Sequence, residues 1–259
     1  MPATSRRALL RALCVVLGSL ALCHCGASGP GVHHEVIRYG QFEHVRLYRP
    51  SGPPRQLVLL LSGDGGWGAD LDEIARRLTL RGALVAGIDV GEWLDALEHA
   101  QTSCVAPGAY LAALATHLAG QPPAIHAPPL LIGHSAGASL AYVALAQSRA
   151  GEFAGALTLA FCADLDLRRP LCPGGALRTA MRRDGQQLLP GGALPARWIT
   201  LHGLEDEECP EPDARAFADA VPGARFIPLP EVGHAYRDWD LWWSPFITSY
   251  EALVSPATP

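Results

Sequence analysis

Apolar residues follow two different periods along this chain. Continuous apolar runs at Leu57–Leu61 and Ala83–Ile88 are typical of strands buried on both faces of a sheet. Between them, Ala69–Leu80 repeats its apolar positions every three or four residues, which predicts an amphipathic helix. Residues 57–88 are therefore predicted to form a strand, a helix and a strand.

The same two periods predict the remaining elements. Further strands are expected at His44–Tyr48, Leu130–Ile132, Ala156–Phe161, Arg197–Leu201 and Arg225–Leu229. Further helices are expected at Gly108–Leu118, Ala136–Ser148, Asp213–Ala220 and Trp239–Leu253. This alternation predicts an α/β fold with a mostly parallel central sheet and helices on both faces. Residues 164–195 are rich in Gly, Pro and Arg, so a loop or lid is predicted there.

The first 27 residues have the pattern of an export signal. Three arginines precede the apolar stretch Ala12–Cys23, and small residues follow it. The stretch is short for a transmembrane helix. We expect cleavage after Ala27 and a periplasmic protein with a single domain over residues 28–259. Acylation at Cys23 and an uncleaved membrane anchor are the alternatives.

Charge and composition restrict the partners. The 259 residues include 25 acids and 20 bases, all of them arginine, and 49% are hydrophobic, which is enough for a large core. Cleavage after Ala27 would remove three arginines and no acid, so 17 arginines would face 25 acids and the net charge would change from −5 to −8. An acidic chain argues against nucleic acid as the main partner.

Four cysteines would remain after cleavage, and an even number in an exported chain suggests two disulfides. Of the three possible pairings, we expect Cys162 with Cys172 and Cys104 with Cys209; buried free thiols are the alternative. The sequence has no CxxC or HExxH motif and no phosphate-binding Gly-Lys-Ser/Thr. We therefore expect no metal and no cofactor.

The strongest chemical motif is Gly133-His-Ser-Ala-Gly137, which fits G-x-S-x-G. It lies directly after a predicted strand and directly before a predicted helix, the context that exposes a nucleophilic serine on a tight turn. The motif predicts Ser135 as a nucleophile; an ordinary strand-to-helix turn is the alternative.

A serine nucleophile needs a base, and the base needs an acid that orients it. His234 follows the last predicted strand, and Asp206 follows the strand before it. Both are therefore expected at the carboxyl ends of strands, where open α/β sheets bind ligands. Glu205 and Glu207 are alternatives for the acid. A surface histidine and a solvated acidic run are the alternatives without catalysis.

The glycine-rich loop Ser62–Trp67, which follows the first central strand, is the candidate oxyanion hole. One backbone N–H donor is expected from Ala136, and the other from Asp64 or Gly65. Gly66 and Trp67 are expected to contact the substrate beside them.

Four strings together resemble the bacterial VirJ/AcvB virulence-protein family: Ser62–Trp67, Gly133–Ala138, Gly203–Pro210 and Gly233-His234. The resemblance extends over roughly Val36–Leu253. It implies an α/β-hydrolase fold, a periplasmic location and, for some members, an association with type IV secretion and virulence. AcvB-type members are similar to hydrolases of lysyl-phosphatidylglycerol. Carried over to this chain, the resemblance assigns Ser135 as nucleophile, His234 as base and the Asp206 region as acid.

The sequence thus predicts a serine hydrolase that cleaves an ester, with an aminoacyl lipid of the lysyl-phosphatidylglycerol type as the favoured substrate. Acids between Glu205 and Glu211 would suit a cationic head group, although a solvated acidic loop is the simpler explanation. The alternatives are a general carboxylesterase, and a non-enzymatic periplasmic component or chaperone of a secretion system. A membrane surface and secretion-system proteins are the possible macromolecular partners.

Overall fold

The structure, a computed structural model, describes residues 34–255. The strands are β1 His34–Tyr39, β2 Phe42–Tyr48, β3 Gln56–Leu61, β4 Ala83–Ile88, β5 Leu130–His134, β6 Gly155–Leu159, β7 Asp164–Leu165, β8 Arg178–Met181, β9 Gln186–Leu189, β10 Arg197–Gly203 and β11 Arg225–Leu229. The helices are α1 Ala69–Thr79, α2 Val90–Glu98, α3 Pro107–Ala119, α4 Ala136–Gln147, α5 Glu211–Asp219 and α6 Trp239–Val254. The expected export signal, its cleavage site and Cys23 lie outside the described residues.

Eight strands form one sheet in the order β1-β2-β4-β3-β5-β6-β10-β11. Strand β2 runs antiparallel to both β1 and β4, and every later pair is parallel. The predicted mostly parallel sheet is therefore confirmed. The central strands β3 and β4 are buried at every residue, as their continuous apolar runs predicted.

The sheet separates two apolar layers, because successive side chains of a strand point to opposite faces. In β3, Leu57 and Leu59 belong to the layer with α2, α3, α4 and α5. Val58 and Leu60 belong to the other layer, with α1 and α6. Trp242 and Phe246 of α6 are fully buried in that second layer, so these two aromatic residues pack α6 on the sheet.

Residues 164–195 contain more regular structure than the predicted loop. Strands β7, β9 and β8 form a small antiparallel sheet in that order. Each strand is only two to four residues long, too short to give a periodic signal in the sequence. Helix α2 was also not predicted, although Asp89 caps its first turn by accepting a hydrogen bond from the Glu92 N–H.

The predicted disulfide pairing is wrong. The structure pairs Cys104 with Cys172 and Cys162 with Cys209, with Cα atoms 4.9 and 5.2 Å apart. Cys162 and Cys209 follow β6 and β10, which are neighbours in the sheet. The residues adjacent to Cys104 and Cys172 form an isolated β-bridge. Sheet neighbours, rather than neighbours in sequence, set the pairing.

Two disulfides indicate an oxidising environment outside the cytosol. Within residues 34–255, no helix combines the length and the apolar character needed to cross a bilayer.

Candidate active site

Ser135 lies in a sharp turn between β5 and α4. Its backbone has φ +54° and ψ −123°, in the left-handed region that is costly for a residue with a side chain. A Cβ on Gly133 would lie 2.1 Å from the Gly137 carbonyl oxygen, and one on Gly137 would lie 2.1 Å from that of Ser62. Glycine at both positions therefore lets the turn pack directly against the end of β3.

Three side chains from separate loops meet at this turn. His234 Nε2 lies 2.9 Å from Ser135 Oγ, and His234 Nδ1 lies 2.9 and 3.0 Å from the two carboxylate oxygens of Asp206. Because a carboxylate only accepts, Nδ1 carries the proton and Nε2 is free to accept the serine proton. The arrangement has the geometry of a Ser-His-Asp triad.

Asp206 is held as a buried carboxylate. Its side chain is fully shielded from solvent. Its Oδ1 accepts hydrogen bonds from the backbone N–H groups of Glu208 at 3.1 Å and Cys209 at 2.9 Å. Burial alone would raise the pKa of Asp206, but the hydrogen bonds from His234 and from the Cys209 N–H outweigh it and lower that pKa. Asp206 is therefore ionised and fixed in orientation.

The hydrogen bond to Asp206 raises the pKa of His234, against the effect of partial burial. The charges of Glu208 and Asp64 act in the same direction. Glu208 is the nearer of the two, with its carboxylate 3.5 Å from His234 Nε2. The alternative acids Glu205 and Glu207 are exposed, and neither bonds to His234 in the described part of the chain.

The buried His202 and the half-buried His134 support the triad through contacts that no sequence pattern indicates. His134 Nε2–H donates to the backbone carbonyl of His234 at 2.8 Å, and His202 Nε2–H donates to that of Cys209 at 2.8 Å. Burial lowers the pKa of both rings, so each is neutral near pH 7. These residues orient the backbone that carries the base and the acid.

Asp64 and Gly65, in the loop at the end of β3, are the two candidates for the second oxyanion donor. Within the described part of the chain, only one of them has a free backbone N–H group. Three of its N–H groups are used locally, by Gly65 to Asp64 Oδ1, Gly66 to the Gly63 carbonyl and Trp67 to Asp89 Oδ2. The Asp64 N–H has no acceptor within residues 34–255, which favours it over Gly65. Ala136 opens α4, so its N–H has no partner within the helix.

Of the loop residues predicted to contact the substrate, the glycines line a cavity at Ser135 and the tryptophan does not. Gly65 and Gly66 line a cavity beside Ser135. Trp67 lines neither cavity at the serine: its ring packs against Gly87, and its Nε1–H donates to Asp72 at 2.8 Å.

Ser135 and His234 lie where two cavities meet. One cavity, of about 550 Å³, reaches the small sheet, and its charged lining residues are Asp64, Asp164, Asp166, Asp184, Glu208, Arg168 and Arg182. The other, of about 330 Å³, has the apolar lining residues Leu71, Ile74, Leu159 and Trp242. Asp64, Asp70 and Glu208 also line this second cavity, so a substrate at Ser135 would meet carboxylates in both cavities and an apolar surface in the second.

Metal-ligand residue types also converge here. Over residues 34–255, atoms of Asp206, Cys209 and His234 lie within 4.8 Å of one another. The sulfur of Cys209 is bonded to Cys162, so it is not a thiolate ligand.

Solved structures similar to this fold include esterases and a putative dienelactone hydrolase. Est1E from Butyrivibrio proteoclasticus has a TM-score of 0.59 at 12% identity, covering 86% of this chain and all (100%) of its own. Esterase 2 from Thermogutta terrifontis, phosphorylated by paraoxon, has 0.60 at 16%, covering 88% and 96%. A putative dienelactone hydrolase from Klebsiella pneumoniae has 0.57 at 17%, covering 85% and 96%.

Sequence comparison adds no closer relative: no protein-family model and no curated protein matches the chain. At these identities the structural likeness shows the fold alone. The chain has the α/β-hydrolase fold, as predicted.

The close packing of the serine turn makes a stability prediction. Gly137→Ala should lower the free energy of unfolding by about 1–3 kcal/mol, because its Cβ meets a backbone oxygen that cannot move aside. Gly52→Ala is the control, since its Cβ would meet open space, and should change it by less than about 0.5 kcal/mol. Urea denaturation measures both. Equal stabilities of the two variants would contradict the packing argument.

The hydrogen bond between Asp206 and His234 makes a titration prediction. Asp206→Asn removes the charge that raises the pKa of His234, so that pKa should fall. Nitrogen-15 NMR titration of the His234 ring measures it. Glu205→Gln, an exposed acid on the same loop, should leave the pKa unchanged. An unchanged pKa in Asp206→Asn would show that Asp206 does not orient the base.

Proposed function

We propose that this protein is a serine hydrolase that cleaves carboxylic esters. The observation that carries the proposal is the unbroken hydrogen-bonded path from buried Asp206 through His234 to Ser135, at the junction of two open cavities. A strained serine, a histidine whose Nε2 lies within hydrogen-bond distance of the serine hydroxyl and a fixed carboxylate are together the requirements for nucleophilic acyl transfer.

The reaction follows from the positions of these groups. Ser135 Oγ attacks the ester carbonyl while His234 Nε2 takes its proton, and the Ala136 and Asp64 N–H groups stabilise the oxyanion. The imidazolium then protonates the leaving alcohol, and an acyl-enzyme remains. Water, deprotonated by His234, hydrolyses that acyl-enzyme, so an ester and water give an acid and an alcohol. Asp206 holds the ring and stabilises its positive charge during both steps.

We propose an aminoacyl ester of a membrane lipid, of the lysyl-phosphatidylglycerol type, as the substrate. The α-ammonium of such an ester lies beside its carbonyl, and Glu208 is the acid nearest the proton-accepting nitrogen of His234. Glu208 lines both cavities, and within the described residues its only ionic partner is His234. An ammonium group next to the reacting carbon would give this carboxylate a partner.

The wider surroundings support a cationic lipid in the same way. Asp164, Asp166 and Asp184 line the larger cavity, where a lysyl side chain would extend. Burial and the neighbouring Asp184 raise the pKa of Asp164, and Arg182 opposes them in part. The apolar residues Leu71, Ile74, Leu159 and Trp242 of the smaller cavity could contact hydrocarbon of a lipid.

We also propose a location and a family for this protein. Two disulfides suit an exported, periplasmic protein, and the motif resemblance to the VirJ/AcvB family points to the outer face of a bacterial inner membrane. Association with secretion-system proteins would follow from that resemblance. A general carboxylesterase is the second candidate, favoured by the esterases that share the fold.

The proposed chemistry predicts activity that depends on Ser135. The protein should hydrolyse p-nitrophenyl acetate, and Ser135→Ala should lose at least about 1000-fold in kcat, because no nucleophile remains. Thr116→Ala, which removes an exposed hydroxyl on α3, is the control and should keep the wild-type rate. Equal rates for wild type and Ser135→Ala would overturn the serine mechanism.

The proposed substrate predicts a preference for charged esters that depends on Glu208. Lysine methyl ester should be hydrolysed in preference to its diacetylated form, and Glu208→Gln should reduce that ratio of kcat/KM about two- to five-fold. The ratio cancels any effect of Glu208 on His234, since both esters use the same base. Glu207→Gln, exposed on the same loop and absent from both cavities, should keep the wild-type ratio.

Vesicles that contain lysyl-phosphatidylglycerol extend this test to the lipid. Release of lysine by wild type but not by Ser135→Ala supports the lipid substrate. Hydrolysis of p-nitrophenyl acetate without release of lysine would leave the general carboxylesterase.

A further inference from the structure

We propose that the Cys162–Cys209 disulfide is a positioning element of the triad, which keeps the Asp206 carboxylate on His234, and that reducing this bond impairs the site. The inference rests on the proposed function, because it assigns the triad its role. It concerns the alignment of the acid rather than the identity of the substrate.

On the acid side, the disulfide is bonded to a residue that holds Asp206 directly. The Cys209 N–H donates to Asp206 Oδ1 at 2.9 Å, and the Cys209 carbonyl accepts from His202 Nε2–H at 2.8 Å. The side chains of Asp206 and His202 are completely buried. A displacement of Cys209 would therefore break one hydrogen bond of the acid and one of the ring beneath it.

The loop between β10 and α5 makes few other backbone hydrogen bonds after Asp206. Its front half is held by the Leu204 N–H on Leu229 and by the Glu205 N–H on Val232. Within residues 34–255, the backbone N–H groups of residues 207–209 donate only to Asp206 itself. The disulfide, the hydrogen bond from His202 to the Cys209 carbonyl and the start of α5 therefore hold the second half of the loop.

On the nucleophile side, the same bond reaches the serine helix. Cys162 follows β6, and its carbonyl oxygen accepts a hydrogen bond from Ser139 Oγ at 2.7 Å. Ser139 is fully buried and lies four residues after Ser135 on α4. Contacts therefore run in a closed ring from α4 through Cys162, Cys209 and Asp206 to His234 and back to Ser135.

A reductant can reach the bond from solvent. Cys162 and Cys209 both line the 550 Å³ cavity at Ser135 and a second cavity of about 510 Å³ beside α5. A soluble dithiol would reduce the disulfide to two cysteine thiols and would itself be oxidised to a cyclic disulfide, with two electrons and two protons transferred.

The second disulfide provides a matched control. The carbonyl of Cys172 accepts from Gln147 and its N–H donates to Val105, at 2.8 Å each. Neither Cys104 nor Cys172 contacts a member of the triad. Removing this bond should cost stability without moving the carboxylate.

The test compares Cys162→Ser/Cys209→Ser with Cys104→Ser/Cys172→Ser by NMR titration of the His234 ring. The titratable groups around the ring are Asp206, Glu208, Asp64, His134 and His202. Loss of the Cys162–Cys209 bond should lower that pKa, because the aligned carboxylate is the largest influence that raises it. The kcat/KM for p-nitrophenyl acetate should fall about tenfold, and its acid limb should move to lower pH. The control variant should match wild type in both.

Reduction of folded protein decides the question if the first variant does not fold. Cys104→Ser/Cys172→Ser retains only the Cys162–Cys209 disulfide among the described cysteines, and dithiothreitol should lower its His234 pKa while its circular dichroism stays native. Reoxidation should restore the pKa. An unchanged pKa after complete reduction, or a change that occurs only with unfolding, would overturn the proposal. Because this titration needs no turnover, a failure of the proposed esterase activity is seen separately.

Discussion

The close approach of the serine turn to the end of β3 is the constraint on which the site depends. Gly137 leaves room for the Ser62 carbonyl, so α4 begins directly against the loop that carries Asp64. This contact presents Ser135 and the Ala136 N–H toward the same side as the candidate oxyanion donor. A larger residue at Gly137 would separate the nucleophile from the groups that stabilise its product, even where the rest of the sheet is intact.

The order of strands in the sheet brings the other two residues of the triad to Ser135. Strand β5, which carries the serine turn, lies next to β6, and β10 and β11 follow beyond it. Parallel strands end at the same edge, so the loops after β10 and β11 bring Asp206 and His234 to the serine. Burial then gives the hydrogen bonds their strength: a shielded carboxylate with two backbone donors orients the ring more firmly than an exposed one would.

The sequence predicted the features that depend on neighbouring residues in the chain. It did not predict the contacts between residues that only the folded sheet brings together. Apolar runs identified the central strands, and the glycines around Ser135 identified the turn, because each depends on neighbouring residues alone. The disulfide partners of Cys162 and Cys104 depend on which strands adjoin, so their separation in sequence misled the prediction. The contacts of His134 and His202 with the backbone of the base and acid loops have no sequence pattern either.

The central claim is that Ser135 becomes acylated and that His234 makes it reactive. Rapid acid quenching of the protein during turnover of p-nitrophenyl acetate, followed by peptide mass spectrometry, tests this most directly. The account predicts one acetyl group, carried on the peptide that contains Ser135 and absent from His234→Ala. An acetyl group on any other residue, or ester turnover with Ser135 never modified, would contradict it.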